Sequence, residues 1–185
     1  MQAITVSTPG GPEVLRLTTV SDPTPTAEQI LVRVRATALN RADVMQRLGQ
    51  YPPPPGESDI LGLELAGEVE AVGAAVKDIA PGDRVFGLVG SGGYAEKAVI
   101  DARMAIPIPA GWTFAQAAAV PEVFFTAQET LFTLGGVREG ETVLIHAAAS
   151  GVGTAGIQMA RETGARVLVT AGSAEKIHQI GRAHV

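Results

Sequence analysis

The segment at 142–158, Thr-Val-Leu-Ile-His-Ala-Ala-Ala-Ser-Gly-Val-Gly-Thr-Ala-Gly-Ile-Gln, constrains the fold most. A short apolar run ends in small residues, turns through glycine and enters a helical pattern. A second apolar run, Val167-Leu-Val, follows. Strand, helix and strand over about 30 residues describe a βαβ unit with a right-handed crossover. Both apolar runs are unbroken, as parallel strands covered on two faces require. The spacing Gly151-x-Gly153-x-x-Gly156, directly after a strand, lets the backbone approach a pyrophosphate. The free N–H groups of the helix start then face its oxygens. A tight strand–helix turn without a ligand is the alternative. The expected elements are a strand at 142–146, a helix over 152–163, a strand at 165–170 and another helix start near Ser173.

Residues 1–110 read as β-rich. Runs beginning at Ile30, Glu68 and Asp83 are bounded by Gly, Pro and Asp turns. Ile30, Val32 and Val34 alternate with Leu31, Arg33 and Arg35, which marks a half-buried strand. One helix interrupts them, with Asn40 as its cap, Asp43 in its first turn and Gly49 as its stop. The Tyr51–Pro55 stretch is stiff, because each proline fixes its own φ. Beyond residue 110, Thr113-Phe-Ala-Gln116 has capping-box spacing. Pro121 suits a helix start, and Gly135-Gly136 a stop.

With 46% hydrophobic and 18% charged residues, the 185-residue chain has a globular composition. A net charge of −5 without a basic cluster argues against nucleic acid or an anionic membrane surface. There is no cysteine, so disulfides and thiolate metal sites are excluded. No apolar run approaches the ~20 residues of a membrane span, and the N-terminus lacks signal-peptide character. A soluble, cytoplasmic protein is expected.

An NAD-binding unit carries an acidic residue near the end of its second strand for the adenosine ribose. Thr170-Ala-Gly-Ser173 offers none. Donors at Gly172 and Ser173, with Lys176 one turn on, favour a 2′-phosphate and hence NADPH over NADH. Lys176 reads equally well as a solvated lysine.

Several motifs together carry a family resemblance. They are the Asn40-Arg-Ala-Asp-Val-Met-Gln-Arg helix with the proline loop after it, Leu61-Gly-Leu-Glu-x-Ala-Gly, Gly92-Gly-Tyr-Ala-Glu, Ala117-Ala-Ala-Val-Pro-Glu and the Ser150-Gly-Val-Gly turn. The chain resembles the zinc-free quinone oxidoreductases of the medium-chain dehydrogenase/reductase superfamily, especially their p53-inducible branch. The resemblance implies an α/β fold. A GroES-like β-rich domain would occupy 1–120, and the first part of a Rossmann NADPH-binding domain 121–179. NADPH would lie in the cleft between them. Ala147, Ser150, Gly151, Val152 and Gly153 would form the pyrophosphate turn, and Gly172, Ser173 and Lys176 the 2′-phosphate pocket.

Zinc relatives need a cysteine near position 40 and a Gly-His-Glu triplet, where this chain has Asn40 and Gly62-Leu63-Glu64. Histidines 146, 178 and 184 match no ligand motif, so zinc is not expected. Hydride delivery from NADPH to a quinone is the implied activity, with Tyr51 donating to the developing oxyanion and Asn40 orienting substrate or nicotinamide. Plainer roles are a helix cap for Asn40 and packing on the prolines for Tyr51. An alkenal or enone double-bond reductase and a non-catalytic, crystallin-like NADPH-binding protein are the alternatives.

The resemblance also implies a homodimer formed through later strands. Two strands of about six precede the last residue, so an N-terminal fragment with weak NADPH binding is expected. Residues 180–185, Ile-Gly-Arg-Ala-His-Val, match the translation of a sequencing-library adapter and are expected to be a read-through tail. Blander expectations are a core position for His146, a turn contact for Glu64, packing for Trp112, Phe114, Phe124 and Phe125, and solvated charges at Lys97, Asp101 and Arg103.

Overall fold

A computed structural model describes residues 1–183. The chain divides into two compact units, Met1–Pro121 and a second beginning at Glu122.

The first unit is built on an antiparallel sheet of order β6-β3-β4-β5-β7. Its strands are β3 (Gln29–Ala36), β4 (Glu64–Val72), β5 (Arg84–Leu88), β6 (Lys97–Asp101) and β7 (Ile106–Pro107). A separate antiparallel pair, β1 (Gln2–Val6) and β2 (Leu15–Thr19), reaches the Tyr94 segment through the Ile4 N–H, which donates to the Tyr94 carbonyl at 2.9 Å. The alternation read from β3 holds: Ile30 and Val32 are fully buried while Arg33 and Arg35 face solvent. Leu65, Val69, Val85 and Ile100 complete that core. Ala66 and Phe86 belong to a second cluster with Ala117 and Ala118 of α2 (Phe114–Ala118). Thr113 caps α2 as its spacing predicts, its Oγ1 accepting from the Gln116 N–H at 3.2 Å. Phe114 lies under the Arg84 guanidinium, 4.5 Å from ring centre to Cζ.

The charges expected to be merely solvated are paired. Lys97 bridges Asp22 at 2.7 Å and Glu70 at 3.3 Å. Asp101 caps a 3₁₀ turn and binds Arg103, whose guanidinium and backbone N–H hold its pKa down at about 2. The partners of Lys97 lie in the irregular segment after β2 and on β4, out of reach of local pattern reading, and Asp101 meets Arg103 in a tight turn.

From Pro121, the last residue of the first unit, α3 (Pro121–Gln128) leads into the second and runs into a π-helical turn, Glu129–Leu134, which ends at Gly135. The parallel pair β8 (Thr142–Ile145) and β9 (Arg166–Val169) follows in register, joined by α4 (Gly151–Glu162). Ala148, Ile157 and Ile180 form the core there, with Ile145 and Val167 against it. The opposite face departs from expectation: Leu144 is 54% and Leu168 44% exposed, so the pair is covered on one face only. Helix α5 (Ala174–Ala183) continues past Gln179 into the expected tail and buries Ile180. His184 and Val185 of that tail lie outside the described residues. Among the described residues no helix is long and apolar enough to cross a membrane.

Candidate functional site

The turn after β8 is shaped by close backbone contact. A Cβ on Gly153 would stand 2.6 Å from Ala148 Cα and 2.8 Å from the Ala147 oxygen, so only glycine lets α4 start there. Ala147 adopts φ 51°, a left-handed conformation unfavourable for any residue with a Cβ. Its carbonyl accepts from the Ser150 N–H at 2.9 Å and closes the turn. Ser150 caps α4, with Oγ accepting from the Gly153 N–H at 3.1 Å. The N–H groups of Gly151 and Val152, first in the helix, find no acceptor among the described residues. Two donors at the positive end of a helix dipole suit an anion. A cavity of about 110 Å³ adjoins them, lined partly by His146, Ser150 and Val152.

Strand pairing brings the second group of predicted residues beside this turn. The Ala148 N–H donates to the Thr170 carbonyl at 3.0 Å, which sets the carboxyl ends of β8 and β9 side by side. Gly172 is open on its Cβ side, and Ser173 starts α5, its Oγ accepting from the Lys176 N–H at 3.3 Å. The Lys176 side chain is exposed. His146 is not a core residue: it is exposed, with Nδ1 2.9 Å from Thr170 Oγ1. The strand ends at Ile145, so His146 already belongs to the turn.

In the first unit, Asn40 caps α1 (Arg41–Arg47) as expected and pairs with Asp43 in a capping box. Asp43 Oδ2 accepts the Asn40 N–H at 2.7 Å. Asn40 Nδ2 donates to Glu64 Oε1, also at 2.7 Å. Glu64 is therefore no mere turn contact. It opens β4, and its side chain is 1% exposed. Tyr94 donates its hydroxyl to Asp43 Oδ2 at 2.7 Å. Burial, then the Asp43 carboxylate, raises the Tyr94 pKa, so its hydroxyl stays protonated. Gly62 sits at φ 102°, and a Cβ there would meet the Tyr94 backbone N at 2.7 Å. That close approach holds Tyr94 over the network.

Tyr51 stands apart, 45% exposed, and no hydrogen bond joins it to Asn40. Asp43 and Tyr94 were missed as partners. The Asn-x-x-Asp box gave a sign of the first, whereas only the fold brings Tyr94 within reach across 51 residues.

Residues 26–110 match the alcohol dehydrogenase GroES-like domain. Over 143 residues, 77% of the chain, it is 50% identical to the pikromycin polyketide synthase component PikAII of Streptomyces venezuelae, but that match spans 4% of the synthase. It is 42% identical to the quinone oxidoreductase of Rattus norvegicus over 95% of the chain and 54% of that protein. Escherichia coli quinone oxidoreductase complexed with NADPH superposes with a TM-score of 0.90 at 36% identity, over all of this chain and 57% of that one. CurK enoyl reductase gives 0.87 at 32% identity, covering 97% and 57%. The chain thus spans about half the length of the rat relative and a small part of the synthase. These similarities are those of a quinone-oxidoreductase-like segment of the medium-chain dehydrogenase/reductase kind, with a GroES-like domain at residues 26–110.

Proposed function

We propose that this chain is part of a zinc-independent reductase that takes hydride from NADPH and delivers it to a quinone. One observation carries the cofactor reading. Two helix N–H groups at 151–152, without an acceptor among the described residues, lie beside Gly172, Ser173 and Lys176 at adjacent strand ends, and Thr170–Ser173 at the end of the second strand holds no carboxylate. That donor set fits NADPH: the N–H groups would hold its pyrophosphate, and Ser173 and Lys176 its 2′-phosphate. Bound there, the nicotinamide would supply the hydride. Zinc independence is proposed from the sequence, since Asn40 and Leu63 occupy the ligand positions of zinc relatives.

Without a metal to polarise a carbonyl, the acceptor must be electrophilic on its own, as a quinone is. The chain's own part is orientation and proton control. Asn40 is held at a fixed place by Glu64 and Asp43. The exposed Tyr51 hydroxyl would donate a hydrogen bond to the oxygen that gains charge. An enone or enal double-bond reductase is the second reading, favoured by the similarity to CurK enoyl reductase.

The test is NADPH oxidation by the complete product of the source gene with 1,2-naphthoquinone and, separately, an enal. Faster turnover of the quinone supports the first reading and faster turnover of the enal the second. NADPH binding without oxidation by either contradicts both. With the preferred acceptor, Tyr51→Phe should lower kcat/KM by roughly 10- to 100-fold with NADPH affinity unchanged. An unaltered kcat/KM removes Tyr51 from the mechanism.

A further inference from the structure

We propose that Glu64 is a positioning residue that fixes the side-chain amide of Asn40 for the reaction, an inference that rests on Asn40 acting at the nicotinamide or substrate. The α1 cap does not require Glu64. Asp43 already accepts the Asn40 backbone N–H, and α1 opens on that pair. The Glu64 carboxylate instead takes the Asn40 Nδ2 at 2.7 Å, from the first position of a core strand. Leu65 and Ala66 beside it are fully buried, and the Glu64 carbonyl accepts from Thr37 Oγ1 at 2.7 Å.

A carboxylate in such surroundings is costly to desolvate, and a neutral side chain of the same shape would serve packing as well. What an accepting carboxylate adds is direction. It binds only the NH₂ end of the amide, so Asn40 cannot flip. One Nδ2 hydrogen goes to Glu64, and the other is left in a set orientation for an acceptor oxygen. The matching ligand chemistry is a carbonyl: that of the quinone or enone, or the carboxamide of the nicotinamide.

Glu64→Gln keeps the shape and loses the one-way acceptor, because its own amide can turn either end to Asn40. The experiment measures kcat, KM and melting temperature for the complete protein and for Glu64→Gln, Asn40→Ala and the double variant. Glu64→Gln should lower kcat about tenfold, with KM within twofold and melting temperature unchanged or higher. The double variant should lose no more than Asn40→Ala alone, since Glu64 acts through Asn40. Unchanged kcat in Glu64→Gln, or losses that multiply, overturn the inference. So does a fall in activity matched by a fall in melting temperature.

A parent protein that turns over neither acceptor defeats the proposed function instead. The positioning contact is then decided by ¹⁵N relaxation of the Asn40 side-chain amide. A rigid amide in the parent that becomes mobile in Glu64→Leu supports the contact, and equal mobility in both overturns it.

Discussion

Gly153→Ala is expected to lower stability by about 1–3 kcal/mol, the range for overpacking a tight site. It should also weaken NADPH binding at least tenfold. The added methyl would meet the Ala148 Cα and carbonyl carbon and the Ala147 oxygen, all backbone, at 2.6–2.8 Å. Neither side can rotate away, so the start of α4 must move off the turn. That movement breaks the Ser150 cap and displaces the Gly151 and Val152 N–H groups together. Gly156→Ala is the internal control. Its Cβ would touch only the Cδ1 atoms of Ile145 and Leu131, at 3.4 Å, and side-chain tips can yield. Alanine also favours the helix by up to about 1 kcal/mol over glycine, so the net change should be small. Denaturant midpoints of the two variants check this, and equal losses would contradict the packing account.

Asp43→Ala should cost on the order of 3 kcal/mol, because it strands two donors at once. Asp43 is 4% exposed, and its Oδ2 receives both the Tyr94 hydroxyl and the Asn40 N–H. Removing it uncaps α1 on one side and leaves the Tyr94 hydroxyl half-buried without its acceptor. Tyr94→Phe removes one partner and keeps the other, so it should cost clearly less, around 1 kcal/mol. Thermal unfolding of the two variants orders them. A Tyr94→Phe loss equal to that of Asp43→Ala would mean that Asp43 contributes only through the tyrosine.

What the sequence made legible follows how local each signal is. The βαβ unit, the caps at Asn40 and Thr113, and the stops at Gly49 and Gly135 are written within a few residues of one another. They appear within a residue or two of their expected bounds. The Glu64–Asn40 hydrogen bond has no local signal, because the two residues are 24 positions apart and β4 starts earlier than its apolar alternation suggests. The β1–β2 pair was missed for a related reason. Its burial pattern is irregular and its partner lies near Tyr94. His146 shows the opposite error: an apolar run predicts burial for its last residue, yet the chain has already left the strand there. The residues that the family resemblance assigns to the pyrophosphate turn and the 2′-phosphate pocket lie at the adjacent ends of one parallel pairing, that of β8 with β9.

The proposed function has the 147–153 turn hold the pyrophosphate of NADPH, and Gly172, Ser173 and Lys176 its 2′-phosphate. Dissociation constants for NADPH and NADH, measured by titration calorimetry on the complete protein and on Lys176→Ala, test it most directly. NADPH should bind at least tenfold more tightly than NADH, a difference of about 1.4 kcal/mol. Lys176→Ala should remove most of that preference while leaving NADH affinity nearly unchanged. Equal affinity for the two cofactors in the parent, or a preference that survives the loss of Lys176, would contradict it.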